Sequence, residues 1–330
     1  MAIGEMRYLT RPNIHVLFYI ILFIFAESID AKELTKINVI GNNNDDSEPK
    51  FYLPTKVILG PEGNLYVLDV GNTNIKVVTT KGDYVRTIGG PGQGPGEFKE
   101  PVDIWIEDNN LWVLDHSQMK ISLFNLRGSY IFSFAVEIMP FAFTFFNNSF
   151  ICSHVIGENF LIEYELTGST SRRSGSLTSY DDIMDISRQN PFQRMAYLAS
   201  DRGNNIFISY LYKNKIDKYD NNLNLIKTVK LSDGKKEPLI HKNTNMYYVE
   251  GTEISSGINY VNETIYVLWK KENSDQLDSS GNSVITAFDD ELNKIESMNI
   301  PDCLKGFTIT DSMLYGTVED PYPAIVIYKR

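Results

Sequence analysis

Leu65-Tyr66-Val67-Leu68-Asp69 returns as Leu111-Trp112-Val113-Leu114-Asp115, a shift of 46 from Leu65 to Leu111. The same shift carries Ile75 onto Ile121, Gly82 onto Gly128 and Tyr84 onto Tyr130. Each copy reads as a short apolar strand, an Asp-led turn, a second strand, a Gly turn and a third strand. Self-similarity at this period, with several short strands per unit, is the mark of sheets repeated around an axis.

Four weaker copies extend the pattern. Asn109–His116 is echoed by Asn147–His154, which aligns His116 with His154. Further strand cores are Asn205–Tyr210, Thr264–Trp269 and Met313–Val318. Two Asn-rich hairpins, Tyr219–Asn224 and Phe288–Asn293, match each other, as turn chemistry requires. The chain stops on Ala324–Tyr328, a third strand with no fourth after it, while Leu34–Ile40 is a lone strand before the first copy. Pairing the two closes a ring and hides a sheet edge. The expected fold is all-β: a six-bladed β-propeller of four-stranded antiparallel blades over 32–330, with the N-terminal strand completing the last blade.

Residues 1–28 read as a signal peptide. Arg7 and Arg11 precede the apolar run Ile14–Phe25, and Ala26-Glu27-Ser28 offers a cleavage site. The run is too short to span a bilayer, so the expected location is secreted or periplasmic, with no integral span after cleavage. The net charge of −11 disfavours nucleic acid and anionic lipid as partners. Cys152 and Cys303 are the two cysteines, which is no disulfide framework. Cys152 falls in a buried strand; whether it pairs with Cys303 stays open.

Three polar stretches exceed a plain connection: Ser169–Arg194, Ser232–Gly257 and Lys270–Asn282. The first carries Arg172, Arg173, Arg188 and Arg194, a cationic cluster on an acidic chain, suited to carboxylate or sulfate recognition.

Gly89-Gly90-Pro91-Gly92-Gln93-Gly94-Pro95-Gly96-Glu97-Phe98, followed by Pro101-Val102-Asp103-Ile104, resembles the inter-blade segment of NHL-repeat propellers. Leu111–Asp115 and Ile121–Phe124 continue the resemblance, with Lys120 where that pattern usually has Arg. The match covers 54–134 and implies a secreted six-bladed propeller of the bacterial type. The glycine-rich string is not a phosphate cradle, because Glu97-Phe98 stands where a P-loop has Lys and a hydroxyl residue. No nucleotide is expected. NHL-like propellers include an amidating lyase whose channel metal is held by histidines, so the resemblance keeps zinc or calcium at His116 and His154 as an alternative.

The ligand count falls short for that metal, since Val70 and Leu211 stand at the matching positions of two other blades. Asp69 and Asp115 read first as turn caps, because a repeated position answers a repeated structural need. No Gly-x-Ser-x-Gly elbow is present. The expectation is a non-enzymatic binding or scaffold protein with no cofactor. Its protein, peptide or glycan partner would dock on the channel face bearing Asp69, Asp115, His116 and His154, extended by Arg172 and Arg173. The alternative is a metal-dependent lyase or lactonase-type enzyme, and a structural module of an envelope assembly comes third.

Overall fold

The computed structural model describes residues 32–41, 49–137, 139–174, 190–233, 235–243, 247–271 and 282–330. The expected signal segment 1–28, Arg188 and most of Lys270–Asn282 lie outside them.

Two N-terminal strands, β1 (Lys32–Glu33) and β2 (Thr35–Ile40), precede the blades. Blade one is β3 (Pro54–Leu59), β4 (Asn64–Asp69), β5 (Asn74–Thr79) and β6 (Tyr84–Ile88). Blade two is β7 (Pro101–Glu107), β8 (Asn110–Asp115), β9 (Lys120–Asn125) and β10 (Tyr130–Ala135). Blade three is β11 (Pro140–Phe146), β12 (Ser149–His154), β13 (Leu161–Glu165) and β14 (Thr170–Ser174). A short 3-10 turn, Pro191–Gln193, leads into blade four: β15 (Ala196–Ser200), β16 (Asn205–Tyr210), β17 (Ile216–Asp220) and β18 (Leu225–Val229). A separate hairpin of β19 (Leu239–Lys242) and β20 (Tyr247–Glu250) follows. Blade five is β21 (Ser255–Val261), β22 (Thr264–Lys270), β23 (Ser283–Phe288) and β24 (Lys294–Ile300). Blade six is β25 (Gly306–Ile309), β26 (Met313–Val318) and β27 (Ala324–Lys329).

β2 pairs antiparallel with β27 and supplies the missing fourth strand. The six-bladed, four-stranded propeller follows. One feature was not anticipated: β1 pairs parallel with β24, so the N-terminal segment fastens blades five and six together.

The chain forms this ring because each blade is too thin to bury its own apolar faces. The buried residues fall into six clusters among the described residues, one at each blade boundary. The blade two–three cluster, for example, stacks Trp112 against Phe150 at 4.9 Å. The closing boundary packs Ile40, Val57 and Val67 against Tyr315, Ile325 and Ile327. Gly306 is required there: a Cβ would stand 2.1 Å from the Thr55 carbonyl oxygen, so only glycine lets β25 ride on β3. The first strands of the blades are innermost and surround a central channel.

The glycine-rich linker serves that packing. Phe98 is fully buried and lies edge-on to Phe124 at 5.6 Å. Gly89 adopts φ 72°, and a Cβ there would strike the Phe98 ring at 2.0 Å. The Gly94 N–H donates to the chain's own Glu97 carboxylate at 2.8 Å, so this loop presents an acid where a phosphate site presents free donors.

Candidate functional site

Strand pairing corrects the alignment of the two histidines. The two-residue hairpin turn is Asp108-Asn109 in blade two (φ 49° and 58°) and Asn147-Asn148 in blade three (φ 49° and 59°). Pro101 then pairs with Asp115, and Pro140 with His154. His154 therefore stands where Asp115 stands, and Val155 where His116 stands. The sequence echo was one residue out, which in a strand exchanges the two faces.

Both histidines adjoin Pro140 without forming a joint site. His116 Nδ1 donates to the Pro140 carbonyl oxygen at 2.8 Å. His154 is 1% exposed, with Nε2 3.3 Å from the Tyr164 hydroxyl, which also accepts the Glu137 N–H. Among the described residues, no group of three or more His, Cys, Asp or Glu stands close enough to hold a metal.

Asp69 and Asp115 face the inter-blade linkers. Asp69 accepts from Tyr52 N, Leu53 N and Asn72 Nδ2 at 2.7–3.0 Å. Asp115 accepts from Lys99 N, Glu100 N and both the backbone and side-chain nitrogens of Gln118. Both carboxylates are fully buried. Their oxygens are occupied by the fold.

Three of the four arginines lie among the described residues. Arg172 and Arg173 sit not in a loop but in β14, the outermost strand of blade three, paired in register with Glu163 and Ile162. Arg194 lies buried between blades three and four, with Nη1 on the Gly157 carbonyl at 2.8 Å and the guanidinium 5.6 Å from the Phe160 ring. Burial lowers its pKa to about 10. Cys152 is buried and Cys303 half-buried; both are free thiols.

The channel itself offers two mouths. The wide one, a cavity of about 740 Å³, opens where the innermost strands end. Arg202, from the β15–β16 turn, reaches over blade three to Glu107 of blade two at 3.0 Å. Glu107 also accepts from Trp105 Nε1 at 3.1 Å. Asp201 shapes this turn. Burial alone would raise its pKa, but the N–H groups of Asn205, Gly203 and Asn204 outweigh burial and lower it. A lowered carboxylate pKa contributes stability above the unfolded value, roughly pH 4, and that contribution is lost as pH falls through the native value. The expected result is that Asp201→Ala melts below wild type at pH 6 and converges on it under acid. A gap that persists below pH 3 in thermal melts counts against this role.

The narrow mouth, about 200 Å³, lies where the innermost strands begin, and all six blades line it. An ion pair joins Lys56 to Asp103, whose other oxygen accepts the Phe143 N–H at 3.0 Å, tying blades one, two and three. Glu253 pairs with Lys270 at 2.6 Å and Lys305 with Glu319 at 2.9 Å. Burial opposes the charge on Lys305, yet Glu319 more than compensates and its pKa is raised. Phe141 and Tyr197 form an edge-on aromatic pair at 5.3 Å. Burial first, then Glu253 and Asp103, push the Tyr197 phenol well up, so it stays protonated. Sequence reading took none of these mouth residues as a site residue, because the lining is gathered from six separate blades.

This geometry is that of a six-bladed propeller with an axial channel lined by both polar and apolar groups. The chain belongs to the DUF5128 family, described as a 6-bladed beta-propeller, whose profile matches residues 55–270. No curated protein matches the chain. Among solved structures it is similar to a Bacteroides fragilis protein named "Putative exported protein" (13% identity, TM-score 0.54), covering 92% of this chain and 99% of that one. It is also similar to a duf4221 family member from Bacteroides vulgatus (9%, TM-score 0.58; 90% and 97%). A third is virginiamycin B lyase from Staphylococcus aureus (12%, TM-score 0.53; 90% and 99%). At these identities the likeness is one of fold. No helix of the described residues is long and apolar enough to cross a membrane.

Proposed function

We propose that this protein, NHL-like in its first two blades, is exported through a cleaved signal at 1–28. In this reading it acts outside the cytoplasm as a non-enzymatic binding protein, holding its ligand in the narrow mouth of the channel. The observation that carries the reading is the state of the mouth's charges. Lys56, Asp103, Glu253 and Lys305 are each held in an ion pair, so none is poised as a free acid, base or nucleophile. Paired charges of balanced sign suit a cavity that holds and orients a ligand. The similar Bacteroides fragilis structure, named as a "Putative exported protein", supports the location.

The test uses the Gly257→Leu variant, which fills the mouth where a Cβ meets only an ordinary 3.4 Å contact with Phe307. Wild-type protein, incubated with an envelope extract of its source and desalted, is expected to retain a small molecule that the variant does not. Equal retention by both places the ligand elsewhere. Turnover of the molecule, or stoichiometric zinc or calcium lost on replacing His116 and His154, favours the enzyme reading instead.

A further inference from the structure

We propose that the wide mouth is a second binding site, independent of the narrow one, that takes an organic cation with an apolar body. Its volume of about 740 Å³ falls inside the range of small-molecule sites, about 300–1,000 Å³. Ile58, Trp105, Ile106, Tyr260 and Val261 line it and are only half-buried, so the folded chain leaves apolar surface of four side-chain types open at one place. The two aromatic rings are fixed by their neighbours. The Trp105 indole N–H is taken by Glu107 at 3.1 Å, and the Tyr260 ring stacks on the buried Phe207 at 5.7 Å. Trp105 therefore has its ring to offer a ligand and not its N–H. Cations stand over the rings of Tyr328, Phe160, Tyr210, Tyr247 and Tyr266, but among the described residues none stands over Trp105 or Tyr260.

The sign of the occupant's charge follows from the lining. Its charged residues are Lys56, Glu107, Asp108, Asp201 and Arg202. Both cations are already held, Arg202 by Glu107 at 3.0 Å and Lys56 by Asp103. Asp108, which is exposed, and Asp201, which is half-buried, have no cationic partner among the described residues. The N–H groups of its own turn keep Asp201 ionised at neutral pH. Burial first, then Asp290, Asp201 and Glu263, push the Tyr260 phenol up, so three carboxylates act on that ring. A cavity with low-dielectric walls and an excess of one sign concentrates the opposite ion. The whole chain, at −11, adds to the same field. A cation is also drawn to the face of a Trp or Tyr ring by its quadrupole, while the apolar walls bury the rest of the ligand. An anion meets this field as repulsion, and a bare metal ion leaves the apolar walls unused.

The experiment is fluorescence titration of the whole protein with three dansyl probes of nearly one shape. Dansylcadaverine carries an ammonium, N-pentyl dansylamide is neutral and dansyl-aminohexanoate carries a carboxylate. Dansylcadaverine is expected to bind about tenfold or more tighter than the carboxylate, with the neutral probe between them. Added salt should weaken the cation and spare the neutral probe. Asp108→Asn combined with Glu107→Gln removes two negative charges and releases Arg202, so it is expected to reverse the order of cation and anion. Asparagine suits the positive φ of Asp108, 49°, and glutamine still accepts the Trp105 N–H, so the fold should be kept. Trp105→Leu is expected to weaken dansylcadaverine about fivefold or more; should that variant fail to fold, the charge reversal decides alone. Neutral binding as tight as that of the cation, tightest binding of the carboxylate, or no binding of any probe overturns the proposal. So does an order that the double variant leaves unchanged. Loss of binding in Gly257→Leu places the probes in the narrow mouth and overturns it too, while the narrow-mouth reading stands.

Discussion

A chain beginning at residue 42 is expected to melt about 10 °C below one beginning at residue 32. The difference is β1 and β2, which anchor the ring through two buried side chains, with Lys36 adding an exposed ion pair to Asp302. Leu34 is 7% exposed and belongs to the blade five–six cluster. Ile40 is 3% exposed and belongs to the blade six–one cluster. The rest of β2 is exposed. Its ladder bonds to β27 and the entropy of ordering it roughly offset each other. The two anchors therefore dominate, at a combined cost of about 5 kcal/mol. For a chain of this size that is about 10 °C. Truncation also bares β27, a long apolar edge, so aggregation on heating is expected to rise. Ile40→Ala is expected to reproduce about half the loss, and Ile37→Ala, at a 50% exposed position, almost none. Equal melting temperatures for the two chains would show that the ring is held by inter-blade packing without its N-terminal clasp.

The ring was legible in the sequence because all six strand cores recognised there are second strands: β4, β8, β12, β16, β22 and β26. A second strand is covered on both faces by neighbouring blades, so it reads as a nearly unbroken apolar run. Outer strands are half in water and lose that signal. Thr170–Ser174 carries no apolar residue, which is why Arg172 and Arg173 read as a loop and turned out to lie in β14. The β19–β20 hairpin was missed for the same reason, with Leu239 and Tyr248 exposed. The slip in blade three came from asparagine, which serves equally well as turn residue and as first strand residue. Asn109-Asn110 straddles those roles, whereas both members of Asn147-Asn148 are turn residues. The candidate site was illegible for a topological reason. Thr55, Tyr197 and Ser256 line one cavity only because the ring closes, and each alone is an ordinary strand residue. The Asp69 and Asp115 caps were legible because their chemistry is local and repeats.

Those caps carry the largest single-residue effect expected in the protein. Asp115→Ala is expected to cost about 3–5 kcal/mol. The buried carboxylate takes the N–H groups of Lys99, Glu100 and Gln118 at 2.7–3.3 Å and the Gln118 side chain at 3.0 Å. Alanine takes the acceptor from the three backbone N–H groups, while Gln118 Nε2 keeps the Gly92 and Glu97 carbonyl oxygens at 3.2 Å, and each orphan costs about 1–3 kcal/mol. Asp115→Asn keeps one acceptor and turns an N–H₂ towards the remaining donors, so an intermediate loss is expected. Asp69→Ala should behave alike, since Tyr52 and Leu53 donate to it in the same way. Blade three shows why the carboxylate is not interchangeable with whatever stands at its position. There His154 takes that place, and the linker's Glu137 N–H is met by the Tyr164 hydroxyl at 2.8 Å instead. Blade two has Phe124 on its third strand in a packed aromatic contact with Phe98, with no hydroxyl to offer. Asp115→His is therefore expected to destabilise as much as Asp115→Ala. Urea denaturation with an unchanged slope and a lowered midpoint measures all four variants. A loss under about 1 kcal/mol for Asp115→Ala would mean that the Phe98 anchor alone holds the linker and that the carboxylate is dispensable.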